Sequence, residues 1–385
     1  MEMLKKFVLV LAVFCAFLGY WLLEPYSLNP WQKLAKIEIQ YDKEFSCQGK
    51  YPELQEKVNE RVEHYLEQGK FLGISAGIHT PACDGLVIGA GYADKQRLTP
   101  FLPSTLTRIA SVTKPMTAIA IMQLREKGLI DLDTSVRVYL PNLPTEYNAI
   151  SIKHLLSHTS GVPHYASTLD ALSFAHYPTL ADAVKEIVKR ELVAKPEEQY
   201  LYSSFGYTLL GLVIEHVSQM DFETYLQANI WQVAGMKNTA LERSHHGEQS
   251  RLYIRLGNTF IRSPYTDLSV IYPAGGVLSS ASDLIKFGHA VLENKLISRT
   301  SLELMVDISQ SITPSDGSDL YGLGWSVYHS TKNGRIISHG GAQPGASVHF
   351  QILLDKEIVA LVASNAYNTK RSAYLLANEL GSLVL

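Results

Sequence analysis

The strand-forming segments of this chain are concentrated at its two ends, and this constrains its fold more than any other feature. Phe71–Ile78 and Leu86–Tyr92 are β-rich runs separated by Pro81, Asp84 and Gly85, which predicts a hairpin with a medium loop. Four more such runs wait until the other end: Gly322–His329, Arg335–His339, Ser347–Leu354 and Ile358–Ala363. From Ser111 to about Asp319 the sequence reads as helices and loops. An amphipathic helix is predicted over Tyr51–Lys70, with Leu54, Val58, Val62, Tyr65 and Leu66 at three- and four-residue spacing, and a final helix over Lys370–Leu383. The simplest solution is one sheet closed by strands from both ends around a mainly helical insert, an α+β fold.

Composition allows this. A chain of 385 residues, 46% hydrophobic and 18% charged, can bury a sizeable core in two or three structural units. Three cysteines are too few for a disulfide-built scaffold. With 34 Lys+Arg against 37 Asp+Glu, the net charge of −3 offers no broad attraction to phosphate backbones, which argues against nucleic acid as a partner.

The N-terminus speaks to location. Lys5 and Lys6 precede Phe7–Leu23, a run of 17 residues without a charge. As a helix it would span ~26 Å, the short end of a membrane span and the long end of a signal-peptide core. No small-residue cleavage site follows, Tyr20 and Trp21 stand where an interfacial belt belongs, and the lysines lie on the side that stays cytoplasmic. An uncleaved anchor is therefore favoured over a cleaved signal or a buried helix. The expected layout is a cytoplasmic tip (1–6), an anchor or signal segment (7–23), a tether (24–49) and a catalytic body (50–385). That body would face the periplasm or the exterior, either anchored or, after cleavage, secreted. In such an oxidising space Cys47 and Cys83 can pair, although sequence alone leaves two free thiols equally open.

The chemistry centres on Ser111-Val112-Thr113-Lys114, an S-x-x-K tetrad at the start of a predicted helix. One helical turn sets Lys114 beside Ser111, where an amine can take the hydroxyl proton and activate a weak nucleophile. A backbone N–H at a helix N-terminus also suits a developing oxyanion. His154 and His158 stand at i, i+4, but Leu155 replaces the glutamate of a zinc-protease motif, so helix packing is the better reading and no metal site is expected. His245-His246 reads as a solvated turn.

Downstream of the tetrad come H-L-L-S-H-T-S-G (His154–Gly161), Tyr202-Ser203-Ser204, Y-P-A-G-G-V-L-S-S-A-S-D (Tyr272–Asp283) and I-I-S-H-G-G ending at Gly341. In this order the segments resemble the serine β-lactamase-like family of class C β-lactamases, D-aminopeptidases, DD-carboxypeptidase-like proteins and esterases, over about Gly73 to Ala363. The resemblance implies a β-lactamase/transpeptidase-like fold: an antiparallel sheet with flanking helices (about 50–125 and 320–385) and an inserted mainly helical domain (about 126–319), with the site in the cleft between. It implies catalysis without metal or cofactor on a small-molecule or peptide substrate, and leaves the oligomeric state open. Ser111 would be the acylated nucleophile and Lys114 its activator. Tyr202, first residue of the family's Y-x-N motif, would relay protons, which calls for a phenol pKa depressed by the lysine ammonium. The backbone N–H groups of Ser111 and Ala342 would form the oxyanion hole, the latter from an edge strand, with Ser204, Gly340 and Gly341 touching substrate.

Two departures stand out. Ser204 replaces the motif's Asn and offers one hydroxyl where an amide has two donors and an acceptor. His339 replaces the Lys of the β-lactamase K-T-G motif, which exchanges a permanent cation for a conditional one. The second tilts the expectation toward a peptidase or esterase and away from an efficient β-lactamase, since H-x-G is the version seen in D-aminopeptidase-like members, with a catalytically silent peptide- or protein-binding module, or a true β-lactamase, as alternatives.

Overall fold

Strands from the two ends of the chain do meet, in one nine-stranded antiparallel sheet. The computed structural model describes residues 38–384 except 46, 48–50, 168, 169, 171, 173, 245–248, 258, 316 and 318. The expected tip and membrane segment, most of the tether and the His245-His246 turn lie outside the described residues. Among the described residues, no helix is long and apolar enough to cross a membrane.

The elements that frame the site are, in chain order, β1 (Gln40–Tyr41), α1 (Pro52–Glu67), β2 (Gly73–Thr80), β3 (Cys83–Asp94), α2 (Thr113–Glu126), α3 (Ser204–Ser218), α4 (Ala281–Leu292), β4 (Leu320–Tyr321), β5 (Ser326–Ser330), β6 (Gly334–Gln343), β7 (Ala346–Leu353), β8 (Ile358–Ser364) and α5 (Lys370–Ser382). Across the sheet the order is β1-β3-β2-β8-β7-β6-β5-β4, and Thr99–Pro100 pairs with the end of β3. Both faces of the sheet are covered, so its central strands are buried throughout and read as continuous apolar runs rather than alternating ones. Along β8, Ile358, Ala360 and Val362 join the core formed with Val58 and Val62 of α1 and Leu376 and Leu380 of α5. Their neighbours Val359, Leu361 and Ala363 join the larger core on the other face, with Leu284, Ile285 and Phe287 of α4. Gly288 permits that approach, because a Cβ there would come within 2.6 Å of Val359.

Several boundaries differ from expectation for local reasons. The first hairpin turns tightly, since β2 runs to Thr80 and β3 begins at Cys83. Cys47 and Cys83 are joined as a disulfide with Cα atoms 5.5 Å apart. The run from Gly322 to His329 is not one strand: β4 ends just before it and β5 takes up only its second half, with Gly324 at φ +91° between them. The middle section also contains short strands, among them Tyr253–Leu256, Thr259–Arg262 and Val277–Ser279, and another, Thr107–Arg108, lies just ahead of it. His154 and His158 do not share a helix, because the helix ends at Leu156 and His158 lies beyond it at φ +60°.

Candidate active site

Ser111 lies just ahead of α2, in a 3-10 turn over Ala110–Val112. Ala110 takes φ +50°, a left-handed conformation that costs a residue with a Cβ about 1–2 kcal/mol. The surroundings hold it there: Ile109 N–H donates to Val277 O (3.1 Å). On the other side Gly341 presses so close that a Cβ would sit 2.5 Å from Ile109 O and 3.2 Å from Ser111 N. The glycine of the H-G-G segment is thus required by the approach of β6 to the serine turn. Arg108, with 1% of its side chain exposed, anchors the same turn. It donates to both carboxylate oxygens of Glu242 (2.9 and 2.6 Å), to Thr266 and to Pro344 O.

Lys114 occupies the first turn of α2 and is wholly buried. Its Nζ lies 3.1 Å from Ser111 Oγ, 3.0 Å from Ala274 O and 3.3 Å from Ser204 Oγ. It also sits 4.7 Å from the centre of the Tyr202 ring. Among the described residues no carboxylate pairs with it, and burial holds the amine well below the usual lysine range. Tyr202 is within hydrogen-bonding reach of Ser111, yet burial raises its phenol above the ordinary value. The expected depression is therefore corrected, for a physical reason: burial penalises the phenolate more than the hydrogen bond with Ser111 favours it.

His339 is also corrected. It is 3% exposed, its Nδ1 lies 2.9 Å from Gly340 O and its Nε2 lies 2.9 Å from the Tyr321 hydroxyl. A carbonyl only accepts, so Nδ1 carries the proton and Nε2 accepts from Tyr321. Burial, reinforced by Lys114, drives its pKa down to about 3. The conditional cation expected there does not arise near neutrality. A lysine approaches the same segment: Lys370, at the start of α5, brings its Cε within 3.3 Å of where a Cβ on Gly340 would lie.

Ser111, Tyr202, Ser204, His339, Gly340 and Ala342 line one cleft of about 940 Å³, with Tyr165, Leu172, Lys370 and Arg371 on its walls. Gly341 backs it against the serine turn. Strand β6 is an edge only in part: its pairing with β5 ends at Ser338, which leaves His339–Gln343 open on the cleft side. A larger hollow of about 1160 Å³, with Asp131, Lys153, His154 and Asp307 on its walls, is lined by neither Ser111 nor Lys114.

Sequence reading assigned His158 to helix packing and missed His164. His158 and His164 accept the backbone N–H groups of Ser203 (3.1 Å) and Ser204 (3.2 Å) through their Nδ1 atoms. The signal available was H-T-S-G followed by another His, but which backbone groups they meet depends on the left-handed turn at His158.

The comparisons with known proteins bear on the family and the fold. The family model "Beta-lactamase" matches residues 58–380. Penicillin-binding protein 4* of Bacillus subtilis is 30% identical over 293 residues, 71% of this chain but only 64% of that protein, less than two thirds of its length. The mitochondrial serine beta-lactamase-like protein LACTB of Homo sapiens is 27% identical over 384 aligned residues, covering 74% of this chain and 70% of that one. Among solved structures, D-amino acid amidase from Ochrobactrum anthropi SV3 superposes with a TM-score of 0.76 at 21% identity, over 85% of this chain and 98% of that one. The octameric penicillin-binding protein homologue from Pyrococcus abyssi does so with a TM-score of 0.71 at 27% identity, over 84% and 77%. With the family model spanning the body from α1 to α5, and the fold shared with these neighbours, the chain belongs to the serine beta-lactamase-like family.

Proposed function

We propose that this protein is a serine hydrolase that cleaves an amide or ester through an acyl-Ser111 intermediate, as a peptidase or esterase rather than an efficient β-lactamase. One observation carries the reading: a buried lysine with no carboxylate partner among the described residues, 3.1 Å from a serine hydroxyl that lines a cleft. In the neutral amine two N–H bonds serve Ala274 O and Ser204 Oγ, and the lone pair is left for the Ser111 proton. Ser111 Oγ then bonds to the substrate carbonyl carbon, and the oxyanion is received by the N–H groups of Ser111 and Ala342. Collapse breaks the bond to the leaving group, which takes a proton from the Tyr202 phenol while Lys114 passes its own proton back to the tyrosine. Water hydrolyses the acyl-enzyme by the reverse relay. A phenol kept protonated suits the donor half of that cycle.

The test is intact-mass analysis after a fluorophosphonate, then turnover of D-amino-acid amides and peptides, p-nitrophenyl esters and a chromogenic cephalosporin. One adduct per chain is expected, absent in Ser111→Ala, with kcat lower by about 10²–10⁴-fold in Lys114→Ala. An adduct that survives Ser111→Ala overturns the assignment. Lys370 and Arg371 on the cleft wall favour substrates that carry a carboxylate, which in a β-lactamase-like site keeps weak cephalosporin turnover among the expected results.

The disulfide supports a catalytic body on the oxidising side of a membrane, held there by residues 7–23. Full-length protein should then resist alkaline carbonate extraction, whereas a chain starting near Leu28 should stay in the supernatant. Release of the full-length chain counts against the anchor.

A further inference from the structure

The turn Tyr202-Ser203-Ser204 carries two groups that face the reacting serine and lysine, and it leads directly into α3, whose first N–H groups have no partner within the helix. Ser203 caps the helix through its side chain, accepting from Gly206 N–H (2.9 Å) and donating to Pro163 O (2.7 Å). Two further donors, Ser203 N–H and Ser204 N–H, are met by His158 Nδ1 and His164 Nδ1. Leu201 N–H donates to His158 O (2.8 Å), so residues 158–164 are strapped along the whole turn. The same two rings grip the tyrosine: His158 lies tilted 4.3 Å from the Tyr202 ring centre, and His164 meets it edge-on at 5.6 Å.

A backbone N–H only donates, so both Nδ1 atoms must present lone pairs and both rings, when neutral, carry their proton on Nε2. Among the described residues the His158 Nε2–H finds no hydrogen-bond partner in its buried setting, between the rings of Tyr202, Tyr207 and Tyr321. That cost is accepted at a position where a carboxylate or amide acceptor could have served the same N–H. Charge explains the choice of residue type. The titratable groups around Lys114 are Tyr202, Tyr207, His158, His164 and His339, and among the described residues none is a carboxylate. Imidazole accepts a hydrogen bond without a negative charge, so it can hold the turn without giving the lysine a counter-ion.

We infer that His158 and His164 are a pair of positioning residues, locked as neutral Nε2–H imidazoles, which fix Tyr202 against Ser111 and Ser204 against Lys114 while leaving Lys114 unpaired. This rests on the acyl-Ser111 reading for its effect on turnover, but the protonation pattern stands without it. Long-range 15N–1H correlation spectra of the unmodified protein near pH 7 read the tautomers directly. Nε2–H is expected for both rings, whether or not Ser111 is labelled by a fluorophosphonate. A proton on Nδ1 of either ring overturns the inference.

Turnover then separates positioning from mere packing. His164→Asn puts a neutral acceptor, Oδ1, where Nδ1 stands, and should keep kcat within about threefold. His164→Phe keeps a ring but no acceptor and should lower kcat about 10–100-fold with KM little changed, as expected from an unsatisfied N–H that loosens the turn. His164→Asp keeps the acceptor but adds charge, so the acid limb of kcat/KM should move to higher pH as Lys114 becomes harder to deprotonate. Equal activity of the Phe and Asn variants, or an unmoved pH profile for Asp, overturns the role. If the Phe variant fails to fold, the Asn and Asp pair and the tautomer spectra still decide it. At His158 only Asn is informative, since the left-handed backbone there tolerates Asn and strains most others.

Discussion

Five histidines have pKa values pushed below the ordinary 6.5, each first of all by burial: His79, His158 strongly, His164 to about 4, His339 to about 3 and His349 to about 4. A lowered pKa in the folded state means that the unfolded chain binds more protons between the two values. Stability from these rings is therefore complete above pH ~6.5 and lost as pH falls toward the folded values, by up to ~1.4 kcal/mol per pH unit for each ring. Urea midpoints measured at pH 7.5, 6.0 and 5.0 should fall steadily, before most carboxylates titrate. A midpoint unchanged down to pH 5 would show that the rings are already protonated in the native protein or reach solvent. The same residues mark where sequence reading stops. The tetrad placed Ser111 beside Lys114 because helical spacing is a local rule, and Tyr202 followed from motif order. The charge state of His339 depends on burial supplied by distant strands and on the nearby Lys114, so it could not be read from its identity.

At the level of elements, the serine turn depends on the short strand Thr107–Arg108, paired with Val277–Ser279. Arg108 ties that strand to Glu242, Thr266 and Pro344 from three other segments. Arg108→Met removes the guanidinium from a largely buried carboxylate, which should cost about 3–5 kcal/mol, and Arg108→Lys should recover little because a point charge cannot serve Glu242 through two N–H bonds. Thermal unfolding with the adduct assay at Ser111 checks both; a full recovery of stability by Lys would show that charge alone matters. The long elements were legible in outline: α1, β2, β3, β6, β7, β8 and α5 each lie within a few residues of expectation, since apolar runs and helical spacing persist over many residues. The two-residue strands were not, because they exist through partners supplied by the fold rather than through a pattern of their own. The tight β2–β3 turn was misjudged as a medium loop, since Pro81, Asp84 and Gly85 read as loop residues although the strands pair through Thr80 and Cys83.

For the whole molecule, the central seam of the sheet has a consequence in time rather than in space. Strand β2 pairs with β8 along Ile74–His79 and Val359–Ser364, contacts between the first and last parts of the described chain. Closure entropy must be spent before such distant contacts return anything, so this seam forms slowly relative to local helices and hairpins. During synthesis the β2–β3 hairpin emerges with one edge open and waits for nearly the entire remaining sequence. Ser111 and Lys114 can meet early, one turn apart, but Gly341 and the open stretch of β6 arrive only with the C-terminal strands. A nascent or truncated chain therefore holds the nucleophile and its base without the second wall of the cleft, and hydrolytic competence comes last, when the final strands close the sheet.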